Sequence, residues 1–149
     1  MLSPDSYPFQ VIDRFAQLLA DRGVGVYGDD LPDGSQWILV LGPQAPTSDV
    51  TCINLTPSSP VYSRADVSVG VQVKWRDEQD ADPWAVSERV QQVIDWAHPN
   101  GRPRSSFAMG DLRFGRVNVT SSLVLGPDAQ RRPQATLNLE FHGRRVAHP

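Results

Sequence analysis

With 149 residues, 40% of them hydrophobic and 21% charged, the chain has room for one domain with its own core and reads as neither disordered nor membrane-embedded. Its net charge of −3 argues against a dedicated nucleic-acid binder, whose phosphate contacts require a basic surface. The single cysteine, Cys52, excludes a disulfide framework within the chain and suits a reducing cytosol.

The opening MLSPDSYPFQ lacks a basic stretch followed by an apolar core, so no signal peptide is expected. Ser6 or Asp5 can cap a first helix, with Pro8 tolerated in its opening turn. Val11, Ile12, Phe15, Leu18 and Leu19 recur at helical spacing, and Gly23 closes the helix. Val24 to Tyr27 reads as a short strand, Leu31-Pro32-Asp33-Gly34 as a turn, and Gln36 to Leu41 as a second strand covered on both faces. Within it Trp37 to Leu41, the longest apolar run, is far too short to span a bilayer. Val50 to Leu55 is a third strand, and Thr56 to Arg64 a proline- and serine-rich connection expected to be mobile.

From Asp66 to Arg76, Val67, Val69, Val71, Val73 and Trp75 alternate with polar residues, the period of a strand with one buried face. After the acidic loop DEQDADP, Asp82 and Pro83 open a second helix as cap and first helical residue. Val86, Val90, Val93, Ile94 and Ala97 form its apolar stripe, with Glu88, Arg89, Gln91 and Asp95 toward water. Pro99-Asn100-Gly101 stops it. Asp111 to Phe114 reads as a short strand leading into Val117–Leu125, and Gln134 to His142 as the last strand. These two long runs are separated by the loop 126–133 and should pair as an antiparallel hairpin. The expected fold is one α+β domain over residues 1–149. A mostly antiparallel sheet carries two helices on one face and ends in a long C-terminal hairpin, with flexible segments at 1–6 and 143–149.

The chemistry-bearing residues form no known catalytic pattern. Cys52 lies between apolar neighbours with no histidine close in sequence, which favours a small core residue over a nucleophile. The acidic run Asp77, Glu78, Asp80, Asp82 lacks the central glycine of a calcium loop and is interrupted by Pro83, and is better read as a solvated loop plus helix cap. His98, His142 and His148 share no metal-ligand spacing; His98 in the last turn of a helix suits the dipole as a partial cation. Neither a GxSxG elbow nor a phosphate-binding glycine loop occurs. No catalytic, cofactor or metal residue is therefore assigned, and the chain is not expected to be an enzyme.

Surface recognition is the remaining theme. Arg102, Arg104, Arg113 and Arg116 precede the hairpin, Arg131 and Arg132 mark its tip, and Arg144 and Arg145 lie near the end. Such arginines contact DNA phosphate or acidic partner surfaces, or simply face solvent. Trp84 and Trp96 lie off the clearest part of the second helix's stripe, and Trp84 is the first candidate for an interface anchor. The candidate interface set is Trp84, Arg131, Arg132, Arg144 and Arg145.

In layout the chain resembles the tail-terminator and minor-capsid (neck) proteins of long-tailed bacteriophages. The shared features are the N-terminal amphipathic helix, the LPDG turn before a core strand, and the strand carrying GVQVKWR. A proline-started helix follows, then a closing hairpin ending in ATLNLEFHGRR. The resemblance runs from about Phe9 to Arg144 and implies a non-enzymatic virion component assembled in the host cytoplasm. Its members form rings, usually hexameric, that cap the tail tube, stop its growth and dock the head. The implied partners are further copies of the chain, the tube protein and a head-completion protein, with genomic DNA passing the lumen unbound and no membrane involved. Six copies would carry roughly −18, a lumen that repels phosphate. Alternatives are a head-completion or stopper connector, a small ligand- or peptide-binding module using the 56–64 connection, and a hydrolase using Cys52 or an aspartate.

Overall fold

A computed structural model describes residues 6–28, 37–40, 52–58, 60–62 and 66–144. The fold is α+β: two helices lie on one face of a curled, mostly antiparallel seven-stranded sheet. Helix α1 spans Tyr7–Asp21 and α2 spans Pro83–Ala97. The strands are β1 (Trp37–Val40), β2 (Cys52–Pro57), β3 (Val61–Tyr62), β4 (Asp66–Arg76), β5 (Ser105–Met109), β6 (Leu112–Leu125) and β7 (Gln134–Arg144). Their order across the sheet is β1-β2-β4-β7-β6-β5, and β3 continues the β2 edge along β4. Only β1 and β2 run parallel.

Local chemistry fixes the helix ends. The Ser6 hydroxyl accepts the N–H of Phe9 at 3.4 Å, satisfying one orphan donor of α1. At the other end Gly23 takes φ +77°. Its N–H donates to Ala20 O at 3.0 Å and that of Val24 to Leu19 O at 2.9 Å, a two-bond left-handed cap with buried Leu19 and Val24 closing beneath it. Asp82 caps α2 by accepting from the N–H of Trp84 at 3.0 Å, with Pro83 at the first helical position.

The alternation in β4 and β7 determines the layers. Val67, Val69, Val71, Val73 and Trp75 are buried, as are Ala135, Leu137, Leu139 and Phe141 beside them in an unbroken register from Asp66↔Arg144 to Arg76↔Gln134. Onto this surface α1 sets Phe15, whose ring meets Phe141 edge-on with centroids 5.3 Å apart, and α2 sets Trp96, 5.6 Å from Phe15. Phe107 and Phe114 complete the aromatic cluster, whose offset and edge contacts contribute about 0.5–1.5 kcal/mol per pair beyond burial. The opposite face of the sheet carries the polar alternates and no helix among the described residues.

Several expectations change here, the mobile connection at Thr56 to Arg64 among them, since it holds the end of β2 and all of β3. Trp96 is in the core rather than off the stripe, and Ile94 is only half-buried; the stripe rotates toward Trp96 because the aromatic cluster lies on that side. Ser105–Met109 is a strand the sequence did not suggest. It joins β6 through the two-residue turn Gly110-Asp111, where Gly110 takes φ +60° and Arg14 from α1 bonds Asp111 at 2.7 Å. Between Val24 and Tyr27 only Val26 makes a bridge, its carbonyl accepting from the N–H of Ile38. Ser6 is the cap of α1 and Gly143 and Arg144 belong to β7, so the ordered fold reaches into both expected end segments. No helix among the described residues is long and apolar enough to cross a membrane.

Candidate functional site

The acidic loop and the hairpin tip, separate features in the sequence, fold against each other. The N–H of Asp77 donates to Pro133 O at 2.8 Å and that of Asp80 to Arg131 O at 2.9 Å. Asp80 and Arg131 both adopt left-handed backbone conformations, with φ of 60° and 61°, and their side chains pair at 3.1 Å in solvent. Such an exposed pair contributes at most about 1 kcal/mol, which roughly offsets the backbone cost. Asp128 organises the tip. Its carboxylate accepts from the N–H of Gln130 at 2.9 Å, the N–H of Arg132 at 3.0 Å and Arg132 Nε at 2.8 Å. These donors, the Arg132 amide foremost, hold the Asp128 carboxyl below its ordinary pKa.

These contacts revise the candidate arginines. Arg132 is buried against Asp128 and is a structural residue of the tip, not an exposed interface cation. Arg131 is exposed but engaged with Asp80. Arg104, from the cluster before the hairpin, donates to Trp96 O at 2.8 Å and lies over the Trp96 ring at 5.4 Å. Arg144 ends β7, while its side chain and Arg145 lie outside what the structure describes, as do the side chain of Cys52 and residue His148. The acidic loop is likewise not uniformly solvated: Asp77 is buried and ion-pairs with Arg89 of α2. Among the described residues, no group of three metal-ligating side chains gathers anywhere.

Trp84 is 75% exposed, the most exposed large hydrophobic side chain among those described. Beside its neighbour Pro83 runs a groove of about 340 Å³ lined by Ala81, Val86, Val124, Leu125, Pro127 and Pro133, with the Asp80–Arg131 pair at its polar side. One wall of that groove is the end of β6, an edge strand. On the side away from β7, β5 pairs with β6 only as far as Arg116. The N–H of Val117 then donates to Arg104 O at 3.0 Å, and that of Val119 to His98 Nε2 at 2.9 Å. An accepting Nε2 is the unprotonated nitrogen of the imidazole, so His98 covers the strand edge as a neutral acceptor rather than serving as a dipole-paired cation. From Thr120 to Leu125 no further strand covers this edge among the described residues, and Leu123 and Val124 are 57% and 48% exposed. The arrangement is an open sheet edge, an apolar groove and an exposed indole, side by side.

Among the described residues, the polar face of the sheet holds a cluster with a nucleophile, a base and an acid. Ser68 Oγ lies 3.1 Å from His142 Nδ1, and His142 Nε2 lies 2.8 Å from Glu140. The i, i+2 spacing of Glu140 and His142 places them on one strand face, and the β4–β7 register adds Ser68; only the spacing was readable beforehand. Ser68 sits mid-strand between β3 and β7, where the backbone N–H groups serve strand pairing, so nothing there is poised to stabilise an oxyanion. The network reads as cross-strand polar pairing. Nearby, Thr56, Pro57, Ser58, Gly70, Gln72, Thr120, Asn138 and Glu140 line a shallow depression of about 460 Å³. It exists because Gly70 has no side chain: its N–H donates to Ser58 Oγ at 2.9 Å, and a Cβ there would meet that oxygen. Compared with known proteins, the chain matches no family model and no curated protein.

Proposed function

We infer that this chain is a tail terminator of a long-tailed bacteriophage: a ring-forming subunit that caps the tail tube and joins it to the head, without catalysis. One observation carries the reading, the open edge of β6 with Leu123 and Val124 exposed beside the Trp84 groove. A monomer that leaves such an edge uncovered risks uncontrolled pairing, whereas a subunit of a closed assembly uses it. The layout described above, from the LPDG turn to the closing hairpin, supports the same class. In this reading the partners are further copies, the tube protein and a head-completion protein, and a net charge of −3 per subunit keeps the lumen from gripping DNA. Light scattering and electron microscopy of the purified protein, alone and with tail tubes, test it. Rings, free or at tube ends, are expected; a protein that stays monomeric and ignores tube ends overturns the reading.

The depression on the polar face favours a second reading, a ligand- or peptide-binding module beside the 56–64 connection. Its lining combines hydroxyl and amide side chains with apolar surface from Pro57, Val71 and Leu139, the mixture a small-ligand site presents. Gly70→Ser would intrude on the depression and press on Ser58, and unaltered assembly by that variant separates the two readings.

A further inference from the structure

Resting on the ring reading, we propose that neighbouring subunits join by strand addition, the β6 edge of one copy (residues 120–125) accepting β3 (Val61–Tyr62) of the next. Among the described residues the large exposed hydrophobic side chains are Val61, Tyr62, Trp84, Leu123 and Val124. Four of the five form two adjacent pairs on opposite lateral borders of the same sheet: β3 lies on the β2 side of β4, and β6 lies beyond β7.

The two pairs match in facing as well as position. Leu123 is opposite Thr136 and Val124 opposite Ala135, so Leu123 lies on the polar face and Val124 on the helix face. Val61 is opposite Ser68 and Tyr62 opposite Val67, so Val61 lies on the polar face and Tyr62 on the helix face. Adjacent residues in a strand point to opposite sides, and a strand added to a sheet keeps each side continuous. The strand directions of the sheet make a β3 segment laid along β6 antiparallel to it. With Val61 opposite Leu123, Tyr62 falls opposite Ser122, and Val124, which lines the 340 Å³ groove, is its diagonal neighbour on the same face, about 7–8 Å away and within reach of an aromatic ring. Main-chain hydrogen bonds give such a joint its strength, and the groove gives it selectivity. Because donor and acceptor edges are different surfaces, the contact is heterologous and propagates around an axis until it closes. Trp84, next in the chain to the groove residue Pro83 and 75% exposed, is the side chain we assign to shielding the joint from water.

The test uses Val61→Lys and Leu123→Lys in the full chain, each a substitution at an exposed position. Circular dichroism and thermal melting should match wild type, with Val61→Thr and Leu123→Thr as milder partners if either lysine variant misfolds. Each lysine variant should raise the half-assembly concentration about ten-fold or more. The decisive arm mixes them. Leu123→Lys retains an intact β3 and Val61→Lys an intact β6 edge, so the equimolar mixture should form one-to-one heterodimers that neither forms alone. A Val61→Lys protein that assembles like wild type while Leu123→Lys stays monomeric would show β6 pairing with itself about a two-fold axis and overturn the proposal. Rings unaffected by both substitutions overturn the edge pairing and leave the ring reading standing. Wild-type protein that never forms rings, even at tube ends, overturns the ring reading itself.

Discussion

Asp77, 5% exposed at the end of β4, is held by Arg89, two turns into α2, and this ion pair locks the strand–loop–helix connection. Asp77 is the buried end of the pair, while the Arg89 side chain is 24% exposed. Arg89→Met takes this cation from a buried carboxylate and should destabilise the fold by about 3 kcal/mol, whereas Asp77→Asn leaves a guanidinium that reaches water and should cost less. Urea denaturation midpoints of the two variants give the comparison, and equal losses would sink this account.

The tip loop should loosen in acid. Asp128 has its folded pKa lowered, chiefly by the Arg132 N–H, from an ordinary value of 3.8. A lowered pKa means that its contribution is complete above the unfolded value and is lost as pH falls through the folded one. Amide exchange at Gln130 and Arg132 should therefore quicken below about pH 4 while that in β7 stays slow, and Asp128→Asn should exchange quickly at neutral pH.

Gly143 is required by Tyr7. A Cβ at Gly143 would fall within contact distance of the Tyr7 hydroxyl, which α1 holds over the end of β7. Gly143→Ala should destabilise by about 1–3 kcal/mol through this overlap. Tyr7→Phe removes the clashing oxygen, so the double variant should recover part of the loss in a denaturant double-mutant cycle. Purely additive effects would mean the two residues do not meet.

Tyr27 anchors the segment after α1. Its hydroxyl donates to Asp13 at 2.6 Å, and burial first, then that carboxylate, pushes its pKa above the ordinary 10.0. For a raised pKa the contribution is intact below the unfolded value and fades as pH climbs through the folded one. Phenolate absorbance should show tyrosine ionising well above the ordinary range, and Tyr27→Phe should remove the latest step at a cost of about 1 kcal/mol.

Trp84 separates stability from assembly. The helix cap uses its backbone N–H, and its indole is in water. Trp84→Ala should shift stability by no more than about 0.5 kcal/mol yet weaken ring formation several-fold. A large drop in melting temperature would instead make it a core residue.

The elements with clean periodicity were readable from residues alone. Asp66–Arg76 and Pro83–Ala97 begin and end where alternation, cap and proline place them, and Gln134 to His142 pairs with Val117–Leu125 as its pattern implied. What escaped depends on long-range placement. Ser105–Met109 has no clear alternation, and Ser106, at φ 49°, is the one residue of the strand without a ladder partner in β6. Trp96 became core because Phe15 and Phe107 converge on it from distant parts of the chain. Asp77 and Arg132 read as surface charges, since burial of a charge depends on a partner that composition does not reveal. Trp84, by contrast, announced its exposure by its position off the helix stripe. The open edge of β6 could not be foreseen, because it depends on where β5 stops.

The eleven-residue pairing of β4 with β7 also dictates when the molecule becomes competent. Asp66 meets Arg144 and Arg76 meets Gln134, partners roughly sixty to eighty residues apart, so the centre of the sheet closes across a large loop and should form slowly. During synthesis β4 and α2 emerge well before their neighbour, and the edge of β6 has no sheet behind it until β7 arrives. A chain cut before Gln134 should therefore neither fold nor poison the assembly of intact copies. In the proposed ring, β7, which follows its sheet neighbours in the chain, acts as a built-in check that only a subunit with a closed sheet joins.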